Sequence, residues 1–286
     1  MKITAWADPQ PGSSSYRVAW IATSAEGHPV ATATLRVFTV AGAEHRTEVE
    51  IAVHPAERRR GAGTALLAEA VAAARGLGRR TLVAGPVEAG SDGESFLVAR
   101  GLRPVLALTY ARLALDGAEV AVEAAPGYRL VTWEGTVPDE LAATFAASRR
   151  AMDDMPMDEA DVGAETWDVE RVRAIAAAVA DRGDILCTVA AVDEADGTIA
   201  GFTELVVAGT GTDDAQHYGT GVLPEHRGRG LARWMKAEAI RHTRARHPGV
   251  PGLLTDTADS NVVMRRINDG LGYAPTHRSV LYQLDL

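Results

Sequence analysis

Two segments of the chain place arginine and glycine at a spacing that suits the binding of an anion. They run from Val53 to Gly63 (VHPAERRRGAG) and from Val222 to Ala232 (VLPEHRGRGLA), share the pattern V-x-P-x-x-R-x-x-G-x-G/A, and lie 169 residues apart. Backbone N–H groups at a helix start lack acceptors and carry partial positive charge, and glycine lets a phosphate approach them closely. Neither segment has the Gly-Lys-Ser/Thr of a Walker A loop or the three glycines of a dinucleotide fingerprint. The pattern therefore predicts a pyrophosphate-binding helix start of another kind.

The elements around the two segments repeat in the same order, which indicates a duplicated unit. Each segment follows a strand-like stretch and opens a stretch with apolar residues at helical spacing. We predict strands over 47–53 and 216–222, helices over 63–76 and 231–247, buried strands over 81–84 and 252–255, helices over 94–100 and 261–270, and final strands over 105–115 and 279–286. Upstream, hairpins are predicted over 16–38 and 185–207. The boundary is predicted near residues 116–126, which gives domains over 1–117 and 127–286.

The copies differ upstream of their hairpins. The second copy has a predicted strand over 128–133, followed by two helical patterns over 139–152 and 169–182. The first copy has only the segment 8–15, rich in Pro, Gly and Ser, in that place. The first copy is therefore expected to lack two helices.

These motifs, with the helix and strand that follow and an Asn-containing helix ending in Leu-Gly-Tyr, resemble the GNAT superfamily of acyl-CoA-dependent N-acyltransferases. The resemblance covers nearly the whole chain, as two units in tandem, and is similar in layout to the mycothiol synthase type of tandem acetyltransferase. It implies an α/β (α+β) fold in which each unit is a mixed, mostly antiparallel sheet flanked by helices. It also implies N-acetyl transfer from acetyl-CoA to a primary amine.

The resemblance assigns cofactor contacts residue by residue. In the family, loop amides hold the CoA pyrophosphate, and the strand before the loop separates from its neighbour so that pantetheine pairs with its edge. Pantetheine would thus pair with Val222, Asn261 would lie near the cofactor, and the phosphate loop would consist of Arg227, Gly228, Arg229, Gly230, Leu231 and Ala232. The same mapping gives a second CoA-like site from Val53, Arg58, Gly61 and Gly63.

Catalytic groups are expected in the second unit, because the helices that the first unit lacks build the acceptor wall in the family. Many members carry a tyrosine seven residues after the asparagine, as the acid for the departing thiolate, but Asn268 stands there. An amine needs a base or a water chain to remove a proton before attack. Candidates for the base are His217 and Glu204, and Tyr273 is a candidate acid. Each has an alternative reading as a packing or solvent-facing residue.

An acidic stretch is the candidate for binding the acceptor. Eight acidic residues and neither Lys nor Arg occur between Ala151 and Glu170, and Asp153, Asp154 and Asp158 are the predicted substrate-binding residues. Such a rim would attract a cationic small molecule through its field. The alternative is a solvated loop whose acidic side chains suit a helix N-terminus.

Composition limits the class of protein and its partners. The 286 residues are 47% hydrophobic and 23% charged, with a net charge of −9, which disfavours nucleic acid and anionic membranes as partners. The first residues lack the apolar segment of a signal peptide, so a cytoplasmic location is expected. The expected assembly is a monomer or a homodimer. With one cysteine, Cys187, and no histidine pair at a common metal spacing, we predict no metal.

Two other functions remain open from the sequence. One is a non-catalytic acyl-CoA-binding sensor, which would not require the acceptor segment over 139–182. The other is a structural pseudo-dimer that has lost both cofactor sites.

Overall fold

The computed structural model describes residues 1–7, 15–117, 120–160 and 166–286. The chain forms two compact units, which do not coincide with the two sequence halves. Unit 1 consists of Met1–Ala107, Met157–Glu165 and Arg278–Leu286, and unit 2 of Leu108–Pro156 and Thr166–His277.

Unit 1 is a mixed sheet with two helices. Its elements are β1 (Lys2–Ala7), β2 (Ser15–Thr23), β3 (Pro29–Phe38), β4 (Arg46–Val53), α1 (Ala62–Gly76), β5 (Thr81–Glu88), α2 (Asp92–Ala99) and the start of β6 (Arg103–Ala114). Strands β1 to β4 pair antiparallel in succession, and β4 pairs parallel with β5. Helix α1 places Ala62, Leu66, Leu67, Ala70 and Ala74 on one buried face against this sheet.

Unit 2 repeats this arrangement with additional helices. Its elements are the end of β6, β7 (Tyr128–Glu134), α3 (Asp139–Ser148), α4 (Val169–Ala180), β8 (Ile185–Asp193), β9 (Ile199–Val207), β10 (Ala215–Val222), α5 (Leu231–Arg246), β11 (Gly252–Ala258) and α6 (Val262–Gly270). The strand order is β6-β11-β10-β9-β8-β7, with only β10 and β11 parallel. All nine residues of β9 are buried, because α3 packs on one of its faces and α5 on the other.

The last strand of each sequence half belongs to the sheet of the other half. Strand β12 (Ala274–Asp285) pairs with β5 in unit 1 from Ser279 onward, and residues 108–114 of β6 pair with β11 in unit 2. The sequence repeat cannot show this exchange, since it fixes the order of the elements but not their pairing. The domains 1–117 and 127–286 expected from the sequence therefore differ from the compact units at both final strands.

The predicted elements are otherwise present with small shifts at their ends. The helix predicted over 139–152 ends at Ser148 and continues as a 3₁₀ turn over Arg149–Met152. Strand β1 had no counterpart in the sequence reading. Most of the segment 8–15 lies outside the described residues. Among the described residues, no helix is long and apolar enough to span a membrane.

Because β12 pairs with β5, a substitution in β12 should destabilise unit 1 rather than unit 2. Tyr282 is 2% exposed, packs in the core of unit 1 and donates a hydrogen bond to Glu94. We expect Tyr282→Ala to reduce the free energy of unfolding of unit 1 by roughly 3–5 kcal/mol, since it leaves a large cavity. Hydrogen exchange followed by mass spectrometry should show faster exchange in β4, β5 and α1. Tyr218→Ala, at a half-exposed tyrosine of unit 2, is the control. Faster exchange confined to unit 2 would contradict the pairing.

Candidate active site

A fork between two parallel strands opens in the middle of the sheet of unit 2. Within β10 and β11, which the structure describes in full, parallel pairing is limited to Ala215 with Leu253 and Gln216 with Leu254. A register shift between His217 and Gly219 accompanies the separation of β10 from β11, while β10 stays paired with β9 up to Val222. The facing edges of β10 and β11 beyond the fork are therefore open to an extended ligand.

The helix that follows β10 begins with unpaired amides. Gly230 is the N-cap of α5 with φ +78°, and no side chain caps the helix. The first intrahelical bond runs from the N–H of Trp234 to the carbonyl of Gly230, so the N–H groups of Leu231, Ala232 and Arg233 have no intrahelical acceptor. Gly228 also has φ +78°, and both glycines are exposed with open space where a Cβ would lie. Their positive φ is the reason for glycine here, and the helix start is accessible to an anion.

Two arginines of the loop are held by neighbouring groups. The guanidinium of Arg227 donates to both carboxylate oxygens of Asp154 at 2.6 and 2.7 Å and to the carbonyl of Val222 at 2.9 Å. This contact lowers the pKa of Asp154. Arg229 donates to the hydroxyl of Tyr128 at 2.6 Å. The sequence predicts that both arginines contact phosphate, and the structure shows Arg227 paired with Asp154 and Arg229 bonded to Tyr128.

Unit 1 has a similar fork and helix start. Strand β4 pairs with β5 from Arg46 to Val49 and then separates from it, and Gly61 caps α1 with φ +88°. A cavity of 850 Å³ lies at this place, bordered by Val53, Arg58, Gly61, Gly63 and Phe96. The residues predicted for a second CoA-like site are thus brought together around one concave space.

The asparagine predicted near the cofactor caps a helix. The side-chain oxygen of Asn261 accepts a hydrogen bond from the N–H of Met264 at the start of α6. In unit 1 the side-chain oxygen of Ser91 caps α2 in the same way, so Ser91 is the structural counterpart of Asn261. Asn268 is buried and donates to Thr257 at 3.1 Å.

Two of the predicted catalytic residues form one buried pair. His217 is 7% exposed, and its Nε2 lies 2.7 Å from the hydroxyl of Tyr273. Burial and the nearby Lys236 hold the pKa of His217 well below its usual value. Burial also raises the pKa of Tyr273. A weak base hydrogen-bonded to a weak acid favours a structural role for this pair.

The third predicted catalytic residue is committed to an ion pair. Both carboxylate oxygens of Glu204 accept from Arg149, at 2.5 and 2.7 Å, and the two side chains are buried. The guanidinium of Arg149 also lies 4.4 Å from the ring centroid of Phe202 and 4.9 Å from that of Trp167. This arrangement favours a structural role for Glu204 over proton abstraction.

The two predicted bases lie on opposite faces of the sheet. Side chains alternate along β9, so Glu204 shares the α3 face with Phe202, whereas Leu205 packs with α5. His217 pairs with Leu205 across the strands and contacts Tyr273 on the α5 face. The two side chains therefore do not act on one proton.

A carboxylate that the sequence reading missed lies at the fork. Asp256 of β11 is exposed between the buried Thr255 and Thr257, and its Oδ1 accepts from the side chain of Gln216 at 3.3 Å. Although the residue as a whole is exposed, partial desolvation of its carboxyl raises the pKa, and the Lys236 ammonium opposes this rise. No local sequence signal identifies Asp256, because its position depends on where β10 leaves β11.

The predicted substrate-binding aspartates belong to different units and have different contacts. Asp154 pairs with Arg227, and Asp153 is exposed without belonging to any described ion pair. Asp158 lies in unit 1, where it has φ +47°. Of the other acidic residues in the stretch, Glu159 pairs with Arg103, Asp168 caps α4, and Asp161 and Glu165 lie outside the described residues.

Comparison with known proteins decides the family. The sequence matches the Acetyltransferase (GNAT) family over residues 5–92 and 149–273, which is more than half of the chain. The chain belongs to the GNAT acetyltransferase family. The two matched regions contain the two forks and helix starts described above, which confirms the resemblance and the fold class read from the sequence.

Individual relatives match this GNAT protein over most of its length. It is 30% identical over 241 residues to the mycothiol acetyltransferase of Nocardia farcinica, covering 84% of this chain and 75% of that one. Among solved structures, a tandem GNAT protein from the clavulanic acid biosynthesis pathway superposes with a TM-score of 0.77 at 28% identity, covering 96% and 84% of the two chains. A GCN5-related N-acetyltransferase from Sphaerobacter thermophilus, at 21% identity, shares the fold with a TM-score of 0.70 over 93% and 80%.

The buried Lys236 gives this GNAT protein a testable dependence of stability on pH. Lys236 is one of two lysines, is 1% exposed, and its Nζ lies 5.1 Å from the centroid of the Tyr273 ring. Burial lowers its pKa to about 7. In the unfolded chain the pKa of a lysine is about 10.4, so the lysine binds its proton more tightly there than in the folded protein. The folded state is therefore destabilised by the full amount below pH 7, and the destabilisation decreases as the pH rises from 7 to about 10.4.

We therefore expect Lys236→Met to raise the melting temperature most at pH 7 and below, and progressively less between pH 7 and 10. Thermal unfolding across this range measures it. Lys2→Met, at the exposed lysine, should show no such trend. A gain that grows with pH would contradict the assignment.

Proposed function

We propose that unit 2 is an N-acetyltransferase that transfers the acetyl group of acetyl-CoA to the primary amine of a small, cationic molecule. The observation that carries the proposal is the exposed, uncapped start of α5 at the open end of the fork between β10 and β11. Membership of the GNAT acetyltransferase family supports the use of acetyl-CoA.

The residues present fit the cofactor. The N–H groups of Leu231, Ala232 and Arg233 offer donors to a diphosphate at the positive end of the helix dipole. Gly228 and Gly230 leave open space over these donors. The pantetheine arm would then follow the free edge of β10 into the fork, where Val222 lies at the end of the strand.

The reaction needs a group that removes a proton from the amine, because an amine with a pKa near 10 is protonated at neutral pH. We assign this role to Asp256, since its carboxylate is exposed at the fork. The free amine attacks the thioester carbonyl carbon, the new C–N bond forms, the C–S bond breaks, and CoA leaves as the thiolate. The second proton of the amine nitrogen passes to this thiolate, directly or through solvent, which gives the amide and CoA thiol. The buried His217, Tyr273 and Glu204 would support the two faces of the sheet.

The acceptor class rests on charge. The net charge of −9 and the exposed carboxylates of Asp153 and Asp256 favour a cationic amine. A relative named mycothiol acetyltransferase is consistent with a small-molecule acceptor. The pairing of Asp154 with Arg227 reduces the contribution of the acidic stretch.

Unit 1 is proposed to hold CoA without transferring its acyl group. Its cavity of 850 Å³ adjoins a helix start similar to that of unit 2. Only seven residues separate β1 from β2, too few for the pair of helices that α3 and α4 form in unit 2. Among its described residues, unit 1 thus has a proposed cofactor site and no counterpart of α3 and α4.

Substitution at the two helix starts tests where the cofactor binds. We expect Gly230→Glu to weaken the binding of acetyl-CoA to unit 2 at least about tenfold. The new carboxylate would occupy the open space beside the proposed diphosphate seat, which is formed by the N–H groups of residues 231–233, and would repel the diphosphate. Calorimetry on Gly230→Glu, Gly61→Glu and the double variant separates the two units. Gly197→Glu is the matched control, since Gly197 is also exposed with φ +77° and open space at its Cβ. If Gly230→Glu had the same affinity for acetyl-CoA and the same turnover as wild type, the start of α5 would not be the diphosphate-binding site.

Substitution at the fork tests the chemistry. Replacing the proton acceptor in Asp256→Asn should lower kcat about 10²- to 10⁴-fold, with little change in the KM for acetyl-CoA. Thiol release with acetyl-CoA and a panel of polyamines, aminoglycosides and basic amino-acid derivatives measures it. Asp269→Asn, at an exposed aspartate in the last turn of α6, is the control. A kcat within twofold of wild type would exclude Asp256 as the base, and acetyl-CoA binding without turnover on any amine would favour the sensor.

A further inference from the structure

Four side chains with metal-binding atoms converge at the end of α5 that lies away from the fork. They are Glu134 at the end of β7, Cys187 on β8, His242 in α5 and His247 just after it. Their ligand atoms all lie within 4.8 Å of one another. His242 is 12 residues from Gly230, so the cluster is roughly 18 Å along the helix from the proposed diphosphate seat.

Three of these side chains crowd around one oxygen atom. The Oε1 of Glu134 lies 2.9 Å from Nε2 of His242, 3.0 Å from Nε2 of His247 and 3.8 Å from Sγ of Cys187. Cys187 Sγ also lies 3.8 Å from Nε2 of His247. A carboxylate oxygen has two lone pairs, so three neighbours exceed what hydrogen bonding to that atom satisfies well. A cation among the four ligand atoms would resolve this crowding.

The backbone places the ligands for this convergence. Glu134 and Cys187 are direct cross-strand partners in the pairing of β7 with β8. His242 and His247 are five residues apart, which on a continuous helix would separate them by about 140° around the axis. The helix ends at Arg246, and His247 has φ −128° and ψ 63°, so its ring can turn back toward His242.

We propose that Glu134, Cys187, His242 and His247 form a structural Zn²⁺ site that fastens the end of α5 to β7 and β8. A tetrahedral zinc ion with bonds of about 2.0–2.3 Å holds its ligand atoms about 3.3–3.7 Å apart. The distances of 2.9, 3.0 and 3.8 Å from Oε1 of Glu134 differ from this range by less than half an ångström, and all four ligand atoms lie within 4.8 Å of one another. One thiolate, two imidazoles and one carboxylate are ligands that suit zinc.

Charge and access also suit a divalent cation. A Cys187 thiolate and the Glu134 carboxylate together carry two negative charges, and two neutral imidazoles add no charge. The four ligands therefore balance the charge of a divalent cation. Without a cation, burial and the neighbouring carboxylate raise the pKa of the Cys187 thiol to about 12. Metal binding would release the thiol proton, and any proton on the imidazoles, to solvent, and nothing is oxidised or reduced. The histidines and Glu134 are partly exposed, which gives the ion a path of entry.

Metal titration of the full chain, expressed without a histidine tag and kept reduced, tests the site. After removal of metal with a chelator, Co²⁺ should bind at about one equivalent per chain and give a thiolate-to-cobalt charge-transfer band. Zn²⁺ should then displace the cobalt and raise the melting temperature. Wild-type protein that shows no such band and retains no zinc through gel filtration would overturn the proposal.

Variants assign the ligands. Cys187→Ser should abolish the charge-transfer band and weaken Zn²⁺ binding at least about tenfold, in line with the loss of one ligand. His242→Asn should weaken binding while keeping the band. His28→Asn, at an exposed histidine of unit 1, is the control and should behave as wild type. Zinc retained equally by Cys187→Ser and wild type would overturn the site. Since wild-type metal content is measured without any acetyl acceptor, the result is independent of the transferase proposal.

Discussion

The site depends on backbone groups that the fold leaves unpaired. Buried N–H and C=O groups are almost always satisfied, yet the edges of β10 and β11 beyond the fork and the first three N–H groups of α5 are not paired within the sheet or the helix. They remain accessible because the strands separate and because Gly228 and Gly230 adopt positive φ, with open space where a Cβ of either residue would lie. A ligand with a diphosphate and an extended amide arm satisfies both sets of groups at once.

The sheet around the fork is made rigid by polar pairs on its two faces. On the α3 face, Arg149 and Glu204 form a buried ion pair in contact with aromatic rings. On the α5 face, His217 bonds with Tyr273 beside the buried Lys236. Breaking a buried pair by removing one partner leaves an uncompensated polar group, so these contacts hold the geometry strongly. The exposed carboxylate is Asp256, which accepts a long hydrogen bond of 3.3 Å from the side chain of Gln216.

The sequence was sufficient for features that depend on local pattern. The repeated V-x-P-x-x-R-x-x-G-x-G/A segments predicted both helix starts, and periodicity predicted nearly all strands and helices. Features that depend on distant partners were not predictable. Glu204 and Arg149 are 55 residues apart, and nothing near Glu204 shows that it is paired. The exchange of β6 and β12 and the position of Asp256 at the fork also depend on strands that are distant in the sequence. The cluster of Glu134, Cys187, His242 and His247 was not predictable either, because the two histidines come together only where α5 ends.

The most direct test of the diphosphate seat is an NMR titration of isotope-labelled protein with adenosine 3′,5′-bisphosphate and then with CoA. The account predicts that the amide resonances of residues 228–233 shift with CoA in a saturable manner, and that those along the free edge of β10 follow, because only CoA carries the diphosphate and the pantetheine arm. Amide shifts confined to residues 58–64 of unit 1, or none at the start of α5 at saturating CoA, would contradict it.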